Sequence, residues 1–178
     1  MSNDPVHYQS VRQAIRQNQP FRSLRHEAMV ALLLTTDELR RPMQQLLATR
    51  DGLTHQQYNV LRILRGARGE GLPTLEIAER MIERTPGVTR LLDRLEAKGL
   101  VRRERSAKDR RQVFCYLSAA GEVLVDELDA PVEALDDQLF ATLPDGQVRA
   151  LIDVLDRLRH HARRYDSARP ADDGAPTT

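Results

Sequence analysis

The sequence predicts a mainly α-helical protein of the α+β class that contains a winged helix-turn-helix. Apolar residues recur at spacings of three and four along most of the chain, which is the period of amphipathic helices. Two short helical patterns within residues 74–97 are separated by a turn. A β-hairpin pattern with an arginine-rich tip follows them directly. This order of elements is that of a winged helix-turn-helix.

Length and composition restrict the class of protein. The chain has 178 residues, of which 40% are hydrophobic and 30% charged, and this suits one globular core. Its single cysteine, Cys115, excludes an intrachain disulfide. The sequence has neither a run of about 18 apolar residues nor a signal-peptide pattern at its N-terminus. We therefore expect a cytoplasmic protein that makes no membrane contact.

The N-terminal extension, residues 1–21, is predicted to contain one short helix. Asp4 followed by Pro5 has the pattern of a helix start, because proline is favoured at the first helical position. The apolar face of this helix would consist of Tyr8, Val11 and Ile15.

Residues 22–49 have the apolar periodicity of one long helix. Pro42 lies inside the pattern and predicts a kink or a break near Leu39 to Arg41, because proline removes a helical hydrogen bond. Gly52 marks the end of the helix.

The next two helices precede the turn of the motif. Thr54 and Gln57 form a capping box that opens a helix ending near Gly66. After a loop, Thr74 is predicted to cap a short helix. The apolar face of that short helix would consist of Leu75, Ile77, Ala78 and Met81.

The second helix of the motif is predicted to be capped by Thr85 and to have Pro86 as its first residue. A period of 3.6 residues turns its apolar side chains inward, namely Val88, Leu91, Leu92 and Leu95. The same period turns a second set outward, namely Pro86, Thr89, Arg90, Asp93 and Ala97. Gly99 after Lys98 predicts the end of the helix.

The hairpin and the C-terminal helices complete the chain. A first strand begins at Leu100-Val101, its partner spans 112–117, and the loop between them is about 105–111. Ser118 caps a long helix in which Pro131 predicts a bend. Pro144 and Asp145 begin the last helix. Residues 167–178 are predicted to be a disordered polar tail.

Positive charge is concentrated around the predicted motif. Residues 80–111 contain eleven Lys and Arg but only five Asp and Glu, a local charge of +6 in a chain whose formal net charge is +1. The rest of the chain therefore sums to −5. A basic surface on a winged helix-turn-helix favours double-stranded DNA as the partner.

The chemistry of these side chains fits the two grooves of DNA. Thr85 is suited to a phosphate at the helix N-terminus, and Arg90 to the O6 and N7 atoms of a guanine. Thr89 is suited to a thymine methyl group or a phosphate, and we expect Asp93 to orient Arg90 or Arg94. The loop of the hairpin would contact the minor groove through its charged residues, which are Lys108, Asp109, Arg110 and Arg111.

The segment GVTRLLDRLEAKGLVRRE, followed by DRR and a strand ending in Leu-Ser, resembles the MarR family of bacterial transcription regulators. The resemblance covers about residues 30–160. It places Thr85, Pro86, Thr89 and Arg90 in the major groove. It matches Asp109 and Arg111 to the family's wing residues, with the arginine in the minor groove.

The resemblance also implies a homodimer whose N- and C-terminal helices intertwine. It assigns residues 22–52 and 119–166 to dimerisation and 53–118 to DNA binding. The dimer would bind a pseudo-palindromic operator, most simply as a repressor. Family members often bind small phenolic or other amphipathic effectors that release the DNA. The effector site would be formed by Arg22, His26, Met29 and Tyr58.

Other functions are alternatives at this point. One is a winged-helix module for protein contact, without specific DNA binding. Another is a regulator that senses oxidants through Cys115, although a free cysteine is usually a small buried hydrophobe. The chain has no HExxH, GxSxG or P-loop motif, so we expect no enzyme. Its five histidines are dispersed, so we expect no metal site and no cofactor.

Overall fold

The computed structural model describes residues 8–50, 52–83, 87–106 and 112–168. It is mainly helical with a small antiparallel sheet, as predicted. The chain divides into two compact units, residues 1–135 and 136–178. The elements, in chain order, are α1 (Val11–Ala14), α2 (Leu24–Ala48), α3 (His55–Gly66), β1 (Leu72–Pro73), α4 (Thr74–Arg80), α5 (Val88–Ala97), β2 (Val101–Arg105), β3 (Val113–Leu117), α6 (Ala119–Phe140) and α7 (Asp145–Ala168).

The helix in the N-terminal extension is shorter than predicted. Ser10 caps α1 by accepting a hydrogen bond from the Gln13 N–H, and the Gln13 side chain accepts one from the Ser10 N–H. Because α1 begins at Val11, Tyr8 precedes it and is exposed, so the predicted face shared by Tyr8, Val11 and Ile15 is wrong. The proposed start at Asp4 and Pro5 lies outside the described residues.

Helix α2 is capped by Ser23, whose Oγ accepts a hydrogen bond of 3.2 Å from the His26 N–H. It runs through Pro42 to Ala48 without interruption. The break predicted as one outcome at Pro42 is therefore wrong. A proline removes only one backbone donor, and the rest of the helix retains its own. Near its end, Leu47 is fully buried in the core that α3, α4, α5, the sheet and the first half of α6 share. We call this part of the structure the winged domain.

The core of the winged domain gathers apolar side chains from α3, α4, α5, α6 and the sheet. Helix α3 begins with the predicted capping box of Thr54 and Gln57. Completely buried members of the core are Val60, Leu61, Ile77, Leu92, Leu95, Cys115, Val125 and Leu128. At about 25 cal/mol per Å² of apolar surface, this burial is the main favourable contribution to folding.

The sheet has three strands in the order β1-β3-β2, all antiparallel. Strand β1 was not predicted, because its two residues, Leu72 and Pro73, are too few to show periodicity. It pairs Leu72 with Cys115. A Cβ at the preceding Gly71 would lie 2.4 Å from the Tyr116 ring, so only glycine fits this close approach without displacing the ring.

Helix α4 begins one residue earlier than predicted, and α5 begins two residues later. Thr74 is the first residue of α4 rather than its cap; Pro73 is the N-cap, and the Thr74 Oγ1 lies 3.9 Å from the Cys115 Sγ. Helix α5 begins at Val88 with Gly87 as its N-cap, so the predicted cap at Thr85 is wrong. Gly87 has φ of 143°, a conformation that ends any helix running through it and that other residues rarely adopt.

One apolar assignment also differs. Leu75, predicted to face the core from α4, is 72% exposed, whereas Ile77 and Met81 are buried as predicted.

The predicted starts of the two C-terminal helices are confirmed. The Ser118 Oγ accepts a hydrogen bond from the Gly121 N–H at the start of α6. Helix α7 begins at Asp145 and continues to Ala168, two residues into the segment predicted as a tail. Residues 169–178 of that segment lie outside the described ranges. Within those ranges, every helix is either too short or too polar to cross a membrane.

Candidate nucleic-acid interface

Helix α5 has one buried face and one exposed face, as the sequence predicted. Its apolar residues are inside, and the side chains of Thr89, Arg90 and Arg94 are exposed. The helix ends through Gly99, whose φ of 71° allows the Gly99 N–H to donate to the Glu96 carbonyl and the Leu100 N–H to the Leu95 carbonyl. The chain thereby turns directly into β2.

Asp93, on the exposed side of α5, forms an ion pair with Arg103 of β2 rather than with Arg90 or Arg94. The Arg103 Nη2 lies 2.6 Å from the Asp93 Oδ1, and the Arg103 Nε lies 2.8 Å from the Glu96 Oε2. The expectation that Asp93 orients Arg90 or Arg94 is therefore wrong. Hydrogen bonding to Glu96, and then to Asp93, raises the pKa of Arg103 above its already high ordinary value.

The neighbouring arginine of β2 points to the other face of the sheet. Residues alternate along a strand, so Arg102 and Arg103 diverge. Arg102 stacks on the Tyr116 ring, with its guanidinium carbon 4.0 Å from the ring centroid, and also forms an ion pair with Glu104. Both arginines therefore have fixed partners within the fold.

In the part of the chain that the structure describes, three arginines of this surface are without such partners. Arg90 and Arg94 on α5 and Arg105 at the end of β2 are exposed. Among the residues that the structure describes, no carboxylate lies within 4 Å of their guanidinium groups. With Asp93 neutralised by Arg103, the exposed side of α5 presents positive charge, which suits an anionic partner.

The hairpin that follows is closed by a hydrogen bond of 3.0 Å from the Ser106 N–H to the Gln112 carbonyl. Between α5 and β3 lies a cleft of about 410 Å³, lined in part by Thr74, Thr89 and Arg103. The remaining candidate site residues lie outside the described residues; these are Thr85, Pro86, Lys108, Asp109, Arg110 and Arg111.

Three polar contacts hold the turn between α4 and α5, and none of them was predicted from the sequence. The Ile82 N–H donates to the Asn59 Oδ1 at 3.0 Å. Glu83 accepts a hydrogen bond of 3.0 Å from Gln56 and forms an ion pair of 2.7 Å with Arg40 of α2. No periodic signal reveals such contacts, because their partners are distant in sequence.

The four candidate effector residues occupy different environments. Arg22, His26 and Met29 are exposed near the start of α2, where the His26 ring packs edge-on against Phe21. Tyr58 is buried in the core of the winged domain. Its hydroxyl has no hydrogen-bond partner among the described residues.

Cys115 lies in the middle of β3 and is completely buried. Burial raises the pKa of its thiol above the ordinary value, and this outweighs the hydrogen bond with Thr74 and the nearby charge of Arg103. A buried thiol with a raised pKa forms little thiolate, which is the reactive species. The structure therefore gives no support to oxidant sensing by Cys115.

Comparison with known proteins agrees with this geometry. The model of the MarR family matches residues 53–113, which span α3 to the start of β3. The HTH-type transcriptional regulator TtmR of Methylorubrum extorquens is 35% identical over 151 residues, covering 84% of this chain and 75% of that protein. The homoprotocatechuate degradative operon repressor of Escherichia coli is 26% identical and is covered over 87% of its length, against 74% of this chain.

Solved structures show the same fold. A MarR transcription factor from Planctomyces limnophilus is 36% identical, with a TM-score of 0.60 over 77% of this chain and 98% of that chain. The MepR–DNA complex of S. aureus is 25% identical, with a TM-score of 0.67 over 74% of this chain and 95% of that chain. The chain belongs to the MarR family of transcriptional regulators and is not an enzyme.

Proposed function

We propose that this protein is a repressor that binds a pseudo-palindromic operator as a homodimer. The observation that carries the proposal is the exposed face of α5. It presents Thr89, Arg90 and Arg94, while Arg103 forms ion pairs with both carboxylates of the helix, Asp93 and Glu96. A helix with this charge distribution suits the major groove, whose edges and phosphates accept hydrogen bonds.

The residues of α5 would have separate roles on DNA. Arg90, on the first turn of the helix, is suited to a bidentate contact with guanine, and Thr89 to a thymine methyl group or a phosphate. Arg94 lies about 6 Å further along the helix axis and would contact the phosphate backbone. Thr85 and Pro86 would lie at the groove beside the start of the helix.

The wing, which consists of β2, β3 and the loop between them, would contact the neighbouring minor groove. The charged residues of this loop are Lys108, Asp109, Arg110 and Arg111. A narrow minor groove has a strongly negative potential, which favours one inserted arginine. By resemblance to the family, that arginine is Arg111. The Arg103 ion pairs support this role, because they fix the base of the wing against α5.

A homodimer is supported by exposed apolar side chains in both units. In the first unit, Leu24 and Leu33 of α2 are 81% and 66% exposed. In the second unit, Ile152, Val154 and Leu158 of α7 are also exposed. Apolar faces of this kind are unusual on a monomer and are normally covered by another molecule. We propose residues 22–52 and 119–166 as the dimerisation region, with two α5 helices about 34 Å apart.

The repressor role is supported by the E. coli relative, whose name describes a repressor of a degradative operon. Release from DNA would follow when a small phenolic or other amphipathic effector stabilises a dimer whose α5 helices are wrongly spaced. Tyr58 supports an effector site, because its buried hydroxyl has no described partner. Arg22, His26 and Met29 would complete the site. A cytoplasmic location follows from a DNA target.

Fluorescence anisotropy tests the proposal, using the protein's own upstream region and a random duplex at two salt concentrations. We expect nanomolar binding to the upstream region, weaker binding to the random duplex and a steep loss of affinity with salt. Light scattering of the same sample should give a dimer. Absence of binding to either duplex at low salt would contradict the proposal and favour a module for protein contact.

A further inference from the structure

Opposite charges are segregated into two segments of this chain. Residues 5–26 contain four arginines and no Asp or Glu. Residues 112–148 contain eight Asp and Glu and no Lys, Arg or His. Like charges within each segment repel one another, so each segment would be stabilised by opposite charges from another part of the protein or from another molecule.

Most of the positive charge of the N-terminal segment has no partner in its own unit. Arg12 is used internally, since its guanidinium donates to the carbonyls of Gln17 and Asn18. Arg16, Arg22 and Arg25 are exposed. No described carboxylate of residues 8–135 lies within 4 Å of these three guanidinium groups. We call these three residues the arginine arm.

The acidic segment is only half neutralised. In the first half of α6, Asp126 and Asp129 pair with Arg65, at 3.0 and 2.6 Å, and Glu127 lies 3.8 Å from Arg50. In the second half, Glu133, Asp136 and Asp137 are exposed. Each of them lacks a described Lys or Arg of its own unit within 4 Å. Spacings of three and four residues place them on one face of α6, which we call the acidic face.

We propose that the arginine arm of one copy of this chain binds the acidic face of α6 in a second copy. This inference rests on the homodimer proposed above and names the electrostatic contact that holds it. The two sets match in number and carry opposite charge. The N-terminal segment that contains the arm also has exposed apolar side chains, Tyr8 and Ile15, which would be covered in the same contact.

DNA is a poorer partner for the arginine arm. The motif that faces DNA is fixed to α2 at Arg40, which pairs with Glu83 in the turn before α5. Arg25 lies about 22 Å from Arg40 along the axis of α2. The arm therefore lies at the opposite end of this helix from the nucleic-acid interface.

Charge reversal tests the contact. One variant carries R16E, R22E and R25E, and a second carries E133R, D136R and D137R. Each homodimer would then bring like charges together, so we expect dimer affinity to fall on the order of tenfold or more at low salt, and less at high salt. Sedimentation velocity at several concentrations measures this, and circular dichroism verifies folding. R68E is the matched control, because Arg68 is exposed and outside the arm.

Mixing the two variants is the decisive step. A heterodimer would pair the reversed arm with the reversed α6, and the native arm with the native α6, so we expect mixing to restore wild-type affinity. Restoration only when all six changes are made in one chain would indicate an intrachain contact and overturn the inference. Unchanged dimer affinity of both variants would also overturn it. A monomeric wild-type protein would instead refute the homodimer itself.

Discussion

Arg103 of β2 and Asp93 of α5 form an ion pair, with 2.6 Å between the Arg103 Nη2 and the Asp93 Oδ1. The same guanidinium also binds Glu96, one turn further along α5. One side chain thus joins β2 to α5 and pairs with two carboxylates beside the proposed DNA surface. Arg103 itself need not contact DNA to affect binding.

Replacing Arg103 with Gln should weaken operator binding. The change leaves Asp93 and Glu96 without their counter-ion close to the phosphates, and unpaired charges of this kind repel the DNA. Because Arg103 need not neutralise a phosphate, we expect the affinity to fall while the slope of log K against log salt stays close to that of the wild type. Anisotropy titrations over a salt series measure both effects.

Adding Asp93→Asn to the Arg103→Gln variant discriminates between two roles for Arg103. If Arg103 acts by neutralising carboxylates, the second change should recover part of the affinity. If Arg103 is itself a phosphate ligand, Asp93→Asn should raise the operator affinity of the Arg103→Gln variant by no more than it raises that of the wild type.

Gly121→Ala should destabilise the winged domain. A Cβ at this position would lie 2.3 Å from the Leu100 carbonyl oxygen, so α6 or the start of the wing must shift. Overpacking of this kind typically costs about 1–3 kcal/mol. Gly146→Ala in α7 is the matched control, since its Cβ would meet no atom within 4 Å. Equal urea midpoints for the two variants would contradict the predicted close packing.

Local patterns in the sequence were enough to predict most of the fold. The spacing of Val88, Leu91, Leu92 and Leu95 defined the buried face of α5, and therefore also the exposure of Arg90. The capping box at Thr54 and the stop at Gly99 were equally local signals. These features follow from helix geometry and hydrogen bonding within a few residues of the chain.

Features that depend on tertiary contacts were predicted less well. The Arg103–Asp93 pair joins a strand to a helix, and no sequence rule favoured Arg103 over Arg90 or Arg94. Strand β1 exists only through its pairing with β3. The error at α1 was avoidable, because Ser10 and Gln13 have capping-box spacing, which is a stronger signal than Asp4-Pro5.

The stability of the α3–α6 contact should depend on pH through Asp129. A hydrogen bond from Arg65 lowers the pKa of Asp129 below its ordinary value, with Coulombic attraction to Arg65 and Arg62 adding to it. The folded state therefore gains stability above the unfolded pKa of about 3.9, and this gain is lost as pH falls through the lower folded pKa.

Asp129→Asn removes this contribution. We expect the wild type to be more stable than the variant at pH 7 and the difference to shrink below about pH 4, as followed by urea unfolding. Glu122→Gln is the control, because Glu122 has no described ion pair. A wild-type advantage that stays constant down to pH 2 would indicate that packing, rather than ionisation, accounts for the effect of Asp129.

Cys115 should react slowly in the folded protein. Its thiol is fully buried, and its raised pKa leaves little thiolate at neutral pH. We expect labelling by Ellman's reagent to be much slower in buffer than in guanidinium chloride, and peroxide treatment to leave DNA binding unchanged. Rapid labelling of the native protein, accompanied by loss of DNA binding, would restore the oxidant-sensing hypothesis.

The most direct measurement is the affinity of Arg90→Ala for the operator and for operators with single base changes, compared with Arg163→Ala. Arg163 is an exposed arginine of α7, outside the proposed interface. We expect Arg90→Ala to lose about 1–3 kcal/mol of binding and its preference at one base position, while Arg163→Ala binds like the wild type. If Arg90→Ala kept both wild-type affinity and wild-type base preference, the assignment of α5 as the recognition helix would be contradicted.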